Sequence, residues 1–206
     1  MLSFRISVAA ILTFMCLLVS STAFANPKRQ PQPTISPDVY AVYSAVLPHL
    51  WPWTQLDARN LVLLDETSPF PVCLPRSATV GSGVNSAIAQ YRQANRQIWT
   101  LEPKLHISRS YTLIGSRELE PIRHQVIGAW DLFFERHADS GGWIQFSAVG
   151  FSSDKKTAAV YAAYQCGRGC QGGGLYLLRR NNGQWQVSGS LPPCGDTQSH
   201  LQTTGF

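Results

Sequence analysis

Residues 143–187, WIQFSAVGFSSDKKTAAVYAAYQCGRGCQGGGLYLLRRNNGQWQV, constrain the fold more than any other stretch. Short runs of apolar and small residues alternate with turn residues. That pattern predicts strands over about 143–150, 157–165, 174–180 and 184–189. Asp154-Lys155-Lys156 forms the first turn and Asn181-Asn182-Gly183 the last, and Asn-Gly is the strongest short hairpin signal. Between them lies a segment, 165–174, in which Cys166 and Cys170 sit among Gly167, Gly169, Gly172, Gly173 and Gly174. The expectation is an antiparallel β-meander with a glycine-rich loop at its middle.

The preceding chain reads as helix and short strand. Ser36-Pro37-Asp38 has the composition of a helix start: a cap, a first-turn proline and an acid at the positive dipole end. Val39, Val42, Tyr43, Val46 and Leu47 then recur at helical spacing, and Pro48 ends the run. His49-Leu50-Trp51-Pro52-Trp53 reads as an aromatic flap over the core, with a ligand platform as the alternative. Leu61–Leu64 reads as a buried strand and Tyr111–Ile114 as another short strand, and Asp65-Glu66 reads as a solvated strand exit. A second helix is expected over 83–99, with Val84, Ile88, Tyr91 and Ile98 on its apolar side. A third helical region, 116–137, is interrupted by Pro121 and Gly128. The fold class is therefore α+β: N-terminal and middle helices packed on a C-terminal antiparallel meander, similar to cystatin-like or NTF2-like architecture by analogy.

The first 25 residues have the parts of a secretory leader. Arg5 is followed by an apolar run from Ile6 to Val19 and then by Ala23-Phe24-Ala25. Cleavage is expected between Ala25 and Asn26, giving a periplasmic or extracellular protein with no transmembrane segment in its mature chain. Thr13-Phe14-Met15 before Cys16 does not suit lipidation. Residues 26–35 form a proline-rich lead-in, and 36–206 are long enough for one α+β domain. The basic residues are scattered, with Lys155-Lys156 and Arg179-Arg180 as the pairs in the folded region. That is not the footprint of a nucleic-acid binder.

Loss of Cys16 leaves Cys73, Cys166, Cys170 and Cys194, enough for two disulfides in an oxidising compartment. The favoured pairing is Cys166–Cys170 with Cys73–Cys194. The rival pairs Cys170 with Cys194 or Cys73, leaving Cys166 for the remaining partner. A redox motif wants two residues between its cysteines and this pair has three. No histidine except His200 lies near a cysteine, so no metal site is expected. No cofactor motif is present; Gly81-Ser82-Gly83 lacks the lysine of a phosphate loop.

Trp130 and Phe133, Ser140-Gly141, Val149-Gly150-Phe151, Cys166-Gly167-Arg168-Gly169-Cys170, Tyr176 and Asn182-Gly183-Gln184-Trp185-Gln186-Val187 form an ordered set. The set resembles the shared pattern W-x-x-F … V-G-F … C-G-x-x-C-G-x-G … N-G-x-W of a widespread group of small exported bacterial proteins of unknown function. The likeness covers about a third of the chain. Gln171 departs from it, standing where the pattern prefers glycine. The resemblance implies a fold neighbourhood and supplies no catalytic residues.

Two classes of function are compatible with these residues. The first, and preferred, is a non-enzymatic binding or envelope-associated domain for a small molecule, a wall polymer or a protein. Its expected contact residues are Gln165, Arg168 and Gln171 on a glycine-rich loop whose free N–H groups could accept an anion. The second is a periplasmic enzyme with its site between helices and meander. Asp131 and Glu135 share a helix side near His124 and His137, which is an acid–base arrangement on paper and a solvated polar face by default. No catalytic residue is assigned.

Overall fold

The computed structural model describes residues 35–50, 59–72 and 81–191. Helix α1 (Pro37–Val46) opens the described chain and continues into a 3-10 turn, Leu47–His49, where Pro48 sits. Strand β1 (Asn60–Leu64) follows, then α2 (Ser82–Ala94) and β2 (Ser110–Ile114). A 3-10 turn (Ser116–Leu119), a short α3 (Glu120–Arg123) and α4 (Ala129–Arg136) lead into the last strands. These are β3 (Trp143–Phe146), β4 (Gly150–Phe151), β5 (Thr157–Gly167), β6 (Cys170–Asn181) and β7 (Gln184–Leu191). All seven strands join one sheet in the order β2-β1-β3-β5-β6-β7, with β4 also on β5.

The architecture is α+β, with one addition to the expected meander. β1 pairs in parallel with both β2 and β3, so chain from the N-terminal and middle regions extends the sheet. The continuous run Leu61-Val62-Leu63-Leu64 is the signature of such a strand, covered on both faces. Leu61 and Leu63 join the core around α1, while Val62 and Leu64 join a cluster with Leu119, Phe133 and Trp143. β5 alternates in the same way. Ala158, Val160 and Ala162 face α1; Ala159 and Tyr161 face Ile88 and Tyr91 of α2. The sheet is thus the middle of three layers, with α1 on one face and α2 and α4 on the other. Tyr43 of α1 stacks on Phe146 at 4.4 Å, and Trp130 of α4 stacks on Trp143 at 4.9 Å.

Several boundaries differ from the sequence expectation, each for a local reason. α2 stops at Ala94, short of 99, because Asn95 turns back and its side-chain amide donates to the Tyr91 carbonyl at 2.8 Å. Ile98 therefore lies beyond the helix and is 52% exposed. Pro121 does not interrupt a helix; it occupies the first turn of α3, where its missing N–H has no cost. Gly128 does mark a break, in the left-handed region at φ 76°. Ser36 stands at the N-cap of α1 without a side-chain capping bond, and Asp38 pairs with Arg180 of β6 at 3.2 Å.

The expected strand 143–150 is two strands. Ser147 divides them: its hydroxyl accepts the Tyr161 N–H at 2.8 Å, and its carbonyl accepts the Tyr43 hydroxyl at 2.8 Å. The leader (1–25), most of the lead-in (26–34), Trp51-Pro52-Trp53 of the aromatic flap, and the Cys73–Cys194 pair lie outside the described residues. Among the described residues, no helix is long and apolar enough to cross a membrane.

Candidate functional site: a cleft at the free edge of β4

The Val149-Gly150-Phe151 motif borders a two-part concavity. Gly150 pairs with Ala159 of β5, and helix α2 lies directly over it. A Cβ on Gly150 would overlap the Tyr91 N and the Ala87 carbonyl oxygen, so only glycine admits this close approach. Beyond β4 no further strand follows among the described residues. Asn95, at the end of α2, serves in place of a neighbouring strand. Its amide nitrogen donates to the Ala148 carbonyl at 3.1 Å, and its oxygen accepts the Ala148 N–H at 2.9 Å. The Trp99 indole N–H donates to the Ala94 carbonyl at 3.0 Å, which satisfies another orphan carbonyl at the helix end and fixes the ring.

The result is a two-part cleft between α1, the end of α2 and the chain from Val149 to Lys155. The outer part, about 580 Å³, is lined by Gln90, Gln93, Arg96, Gln97, Trp99, Ser152, Ser153 and Lys155, with Phe151 and Val149 beneath. The inner part, about 240 Å³, is lined by Ile35, Ser36, Val39, Tyr43 and Ala148. Ala94, Trp99, Val149 and Phe151 border both. Arg96 and Lys155 are the charged lining residues, both cations. Neither forms an ion pair with a described residue.

The turn that carries Lys155 is tightly held. Ser152 is buried; its hydroxyl donates to Asp154 Oδ1 at 2.6 Å and accepts the Thr157 N–H at 2.9 Å. Asp154 also accepts the Lys156 N–H at 3.0 Å. The Ser152 hydroxyl, and then the Lys156 amide, hold the Asp154 carboxyl below its ordinary pKa, so it stays ionised as part of the turn. Ser86 of α2 accepts the Ser153 N–H at 3.2 Å and ties the turn to the helix. Lys155 itself adopts φ 54°, a left-handed conformation that costs a non-glycine residue about 1 kcal/mol. A long cation is therefore kept at a position that glycine would occupy with less strain.

The residues expected to bind from sequence stand elsewhere, on the β5–β6 hairpin. The 165–174 segment is almost wholly strand, and only Arg168 and Gly169 lie between β5 and β6. Gln165 pairs with Gln171, and Gly172, Gly173 and Gly174 pair with Tyr164, Ala163 and Ala162. Ladder pairing removes the open run of N–H groups that an anion nest requires. The glycines serve packing instead: a Cβ on Gly172 would meet the Tyr164 ring, its hydroxyl oxygen at 2.5 Å. Arg168 is exposed at the tip, Gln171 is exposed and Gln165 half-buried. Cys166 and Cys170 are bonded across the tip with Cα atoms 5.1 Å apart.

The acid–base candidates do not converge. Asp131 and Glu135 are exposed on α4. His137 instead meets Glu118, its Nε2 2.8 Å from the carboxylate, and joins the end of α4 to the turn after β2. Asp65 ends β1 half-buried, with Oδ1 buried and lacking a hydrogen-bond partner among the described residues. Burial, and then the neighbouring Glu66, raise its pKa above the ordinary carboxylate value. It is a less solvated strand exit than the sequence implied. No group of three or more His, Cys, Asp or Glu among the described residues could hold a metal ion.

No family model, curated protein or solved structure matches the chain. Of the cleft, the sequence marks Val149-Gly150-Phe151 as a motif and Lys155 as half of a basic pair, without joining them.

Proposed function

We propose that the protein is an exported, non-enzymatic binding domain that holds a small ligand in the cleft at β4. One observation carries this reading: a concave site of ligand size walled by two cations that pair with no described residue, three glutamine amides and an indole. Its described lining holds cations, amides and hydroxyls suited to binding, without a carboxylate, histidine or thiol. The left-handed Lys155 supports the same reading, since conformational strain concentrates at ligand contacts. Export is carried by the leader-like residues 1–25 and fits the Cys166–Cys170 disulfide. The mature chain then begins at Asn26 and works outside the cytoplasm, without nucleic acid as partner.

The test is recovery of the protein from its own cell envelope, followed by native mass spectrometry and N-terminal sequencing. The expected species starts at Asn26 and carries a small-molecule adduct that the double variant Arg96→Gln/Lys155→Gly loses. An adduct kept undiminished by the double variant would place binding elsewhere, the Arg168 hairpin tip first. Full-length protein confined to the cytoplasm would overturn export.

A further inference from the structure

The two parts of the cleft differ in chemistry, and the difference specifies a ligand class. The inner part presents carbon: Ile35, Val39, Val149 and Phe151 line it. The Tyr43 hydroxyl, its nearest phenol, is already spent on the Ser147 carbonyl at 2.8 Å. A sugar or peptide placed there would lose hydrogen bonds to water and find few side-chain replacements beyond the Ser36 hydroxyl among the described lining residues. An aliphatic chain loses nothing of the kind and gains from leaving water. The outer part has the opposite character. Arg96 and Lys155 give it two positive charges, with no carboxylate among its described lining residues. A cation would be repelled there, whereas a carboxylate or phosphate would gain charge-assisted hydrogen bonds.

Trp99 and Phe151 border both parts, so one molecule can reach from one into the other. Size limits the apolar portion. The inner 240 Å³ equals about eight water volumes, the space that one alkyl chain of moderate length fills. We infer that the ligand is a single-chain anionic amphiphile, with its head between Arg96 and Lys155 and its tail against Val39, Val149 and Phe151. This rests on the binding reading above and adds to it the chemistry at each end. The shared chemistry is an anionic head on one alkyl chain, whether the head is carboxylate or phosphate.

The probes are decanoate, decyl phosphate, decyltrimethylammonium, decanol, acetate and inorganic phosphate. Each is titrated below its micelle concentration into the mature protein, by calorimetry and by tryptophan fluorescence. Saturable binding is expected for decanoate or decyl phosphate, and their ratio distinguishes the two heads. Acetate and inorganic phosphate should bind at least about a hundredfold more weakly, since each buried methylene contributes about 0.8 kcal/mol. Arg96→Gln and Lys155→Gly should each weaken the amphiphile about tenfold or more. Lys155→Gly is the informative variant, because relief of the left-handed strain should leave its melting temperature no lower than wild type.

Equal binding of decyltrimethylammonium or decanol would overturn the anionic head. Equal binding of inorganic phosphate and decyl phosphate would overturn the tail and leave a bare anion site. No saturable binding of either anionic amphiphile would overturn the ligand class. Amphiphile binding indifferent to both Arg96→Gln and Lys155→Gly would overturn the cleft itself.

Discussion

Gly150 is the position where a single added methyl has the clearest structural consequence. Its missing Cβ is the space into which the α2 backbone settles, and backbone atoms cannot rotate away as a side chain can. Gly150→Ala should cost about 3 kcal/mol of stability, at the upper end of overpacking substitutions, and should weaken cleft binding by lifting α2 off β4. Gly189→Ala is the control. Nothing lies within 4 Å of a Cβ there, and β7 has no positive φ at that residue. It should stay within about 0.5 kcal/mol of wild type. Chemical denaturation midpoints of the two variants decide the matter; equal midpoints would remove the packing account of the V-G-F motif.

The β5–β6 hairpin shows what one element contributes and what it does not. Its disulfide closes a short loop, so the chain-entropy model gives it only about 2 kcal/mol. Cys166→Ser/Cys170→Ser should lose about that much and keep the fold, whereas Arg168→Ala should change stability by less than about 0.5 kcal/mol. Thermal melts of both variants check this; global unfolding of the double serine variant would show the staple to be indispensable. The hairpin was legible in the sequence because its signals are local: alternating strands, turn residues and paired cysteines within a few positions of one another. Helix α1 was legible for the same reason, from its 3.6-residue period. The parallel β1–β2–β3 pairing was not, because partner residues such as Leu61 and Tyr111 are far apart in sequence and no local signal in either names the other. The cleft was hidden in the same way. Arg96, Trp99 and Lys155 meet across a helix end and a turn, and nothing in either segment names the other. The glycine run misled for a physical reason. Three consecutive glycines suggest loop freedom, but here the Tyr164 ring occupies the space that a side chain at Gly172 would need.

At the scale of the whole molecule, three layers bury tyrosines on both faces of the sheet, and this makes stability sensitive to alkali. Burial disfavours the phenolate, so Tyr43 is held well above its ordinary pKa of 10, and Tyr91 and Tyr176 are each pushed up to about 12. Below pH 10 both folded and unfolded chains keep these protons, and the full stability is present. Between pH 10 and 12 the unfolded chain releases them while the folded chain does not, so stability falls as pH rises through that window. The melting temperature should be flat from pH 8 to 9.5 and then drop by several degrees by pH 11.5. A flat profile across the whole range would contradict the burial of these rings. The sheet's connectivity also sets an order of events in time. β5, β6 and β7 follow one another through turns of two residues, Arg168-Gly169 and Asn182-Gly183, and can close as soon as they are made. β1 has no such partner. It ends at Leu64 and must wait, apolar on both faces, until β2 at Ser110 and β3 at Trp143 have been synthesised. Strand β1 therefore waits longest after its own synthesis for partners, and its apolar run is the segment that a holding chaperone would have to cover meanwhile.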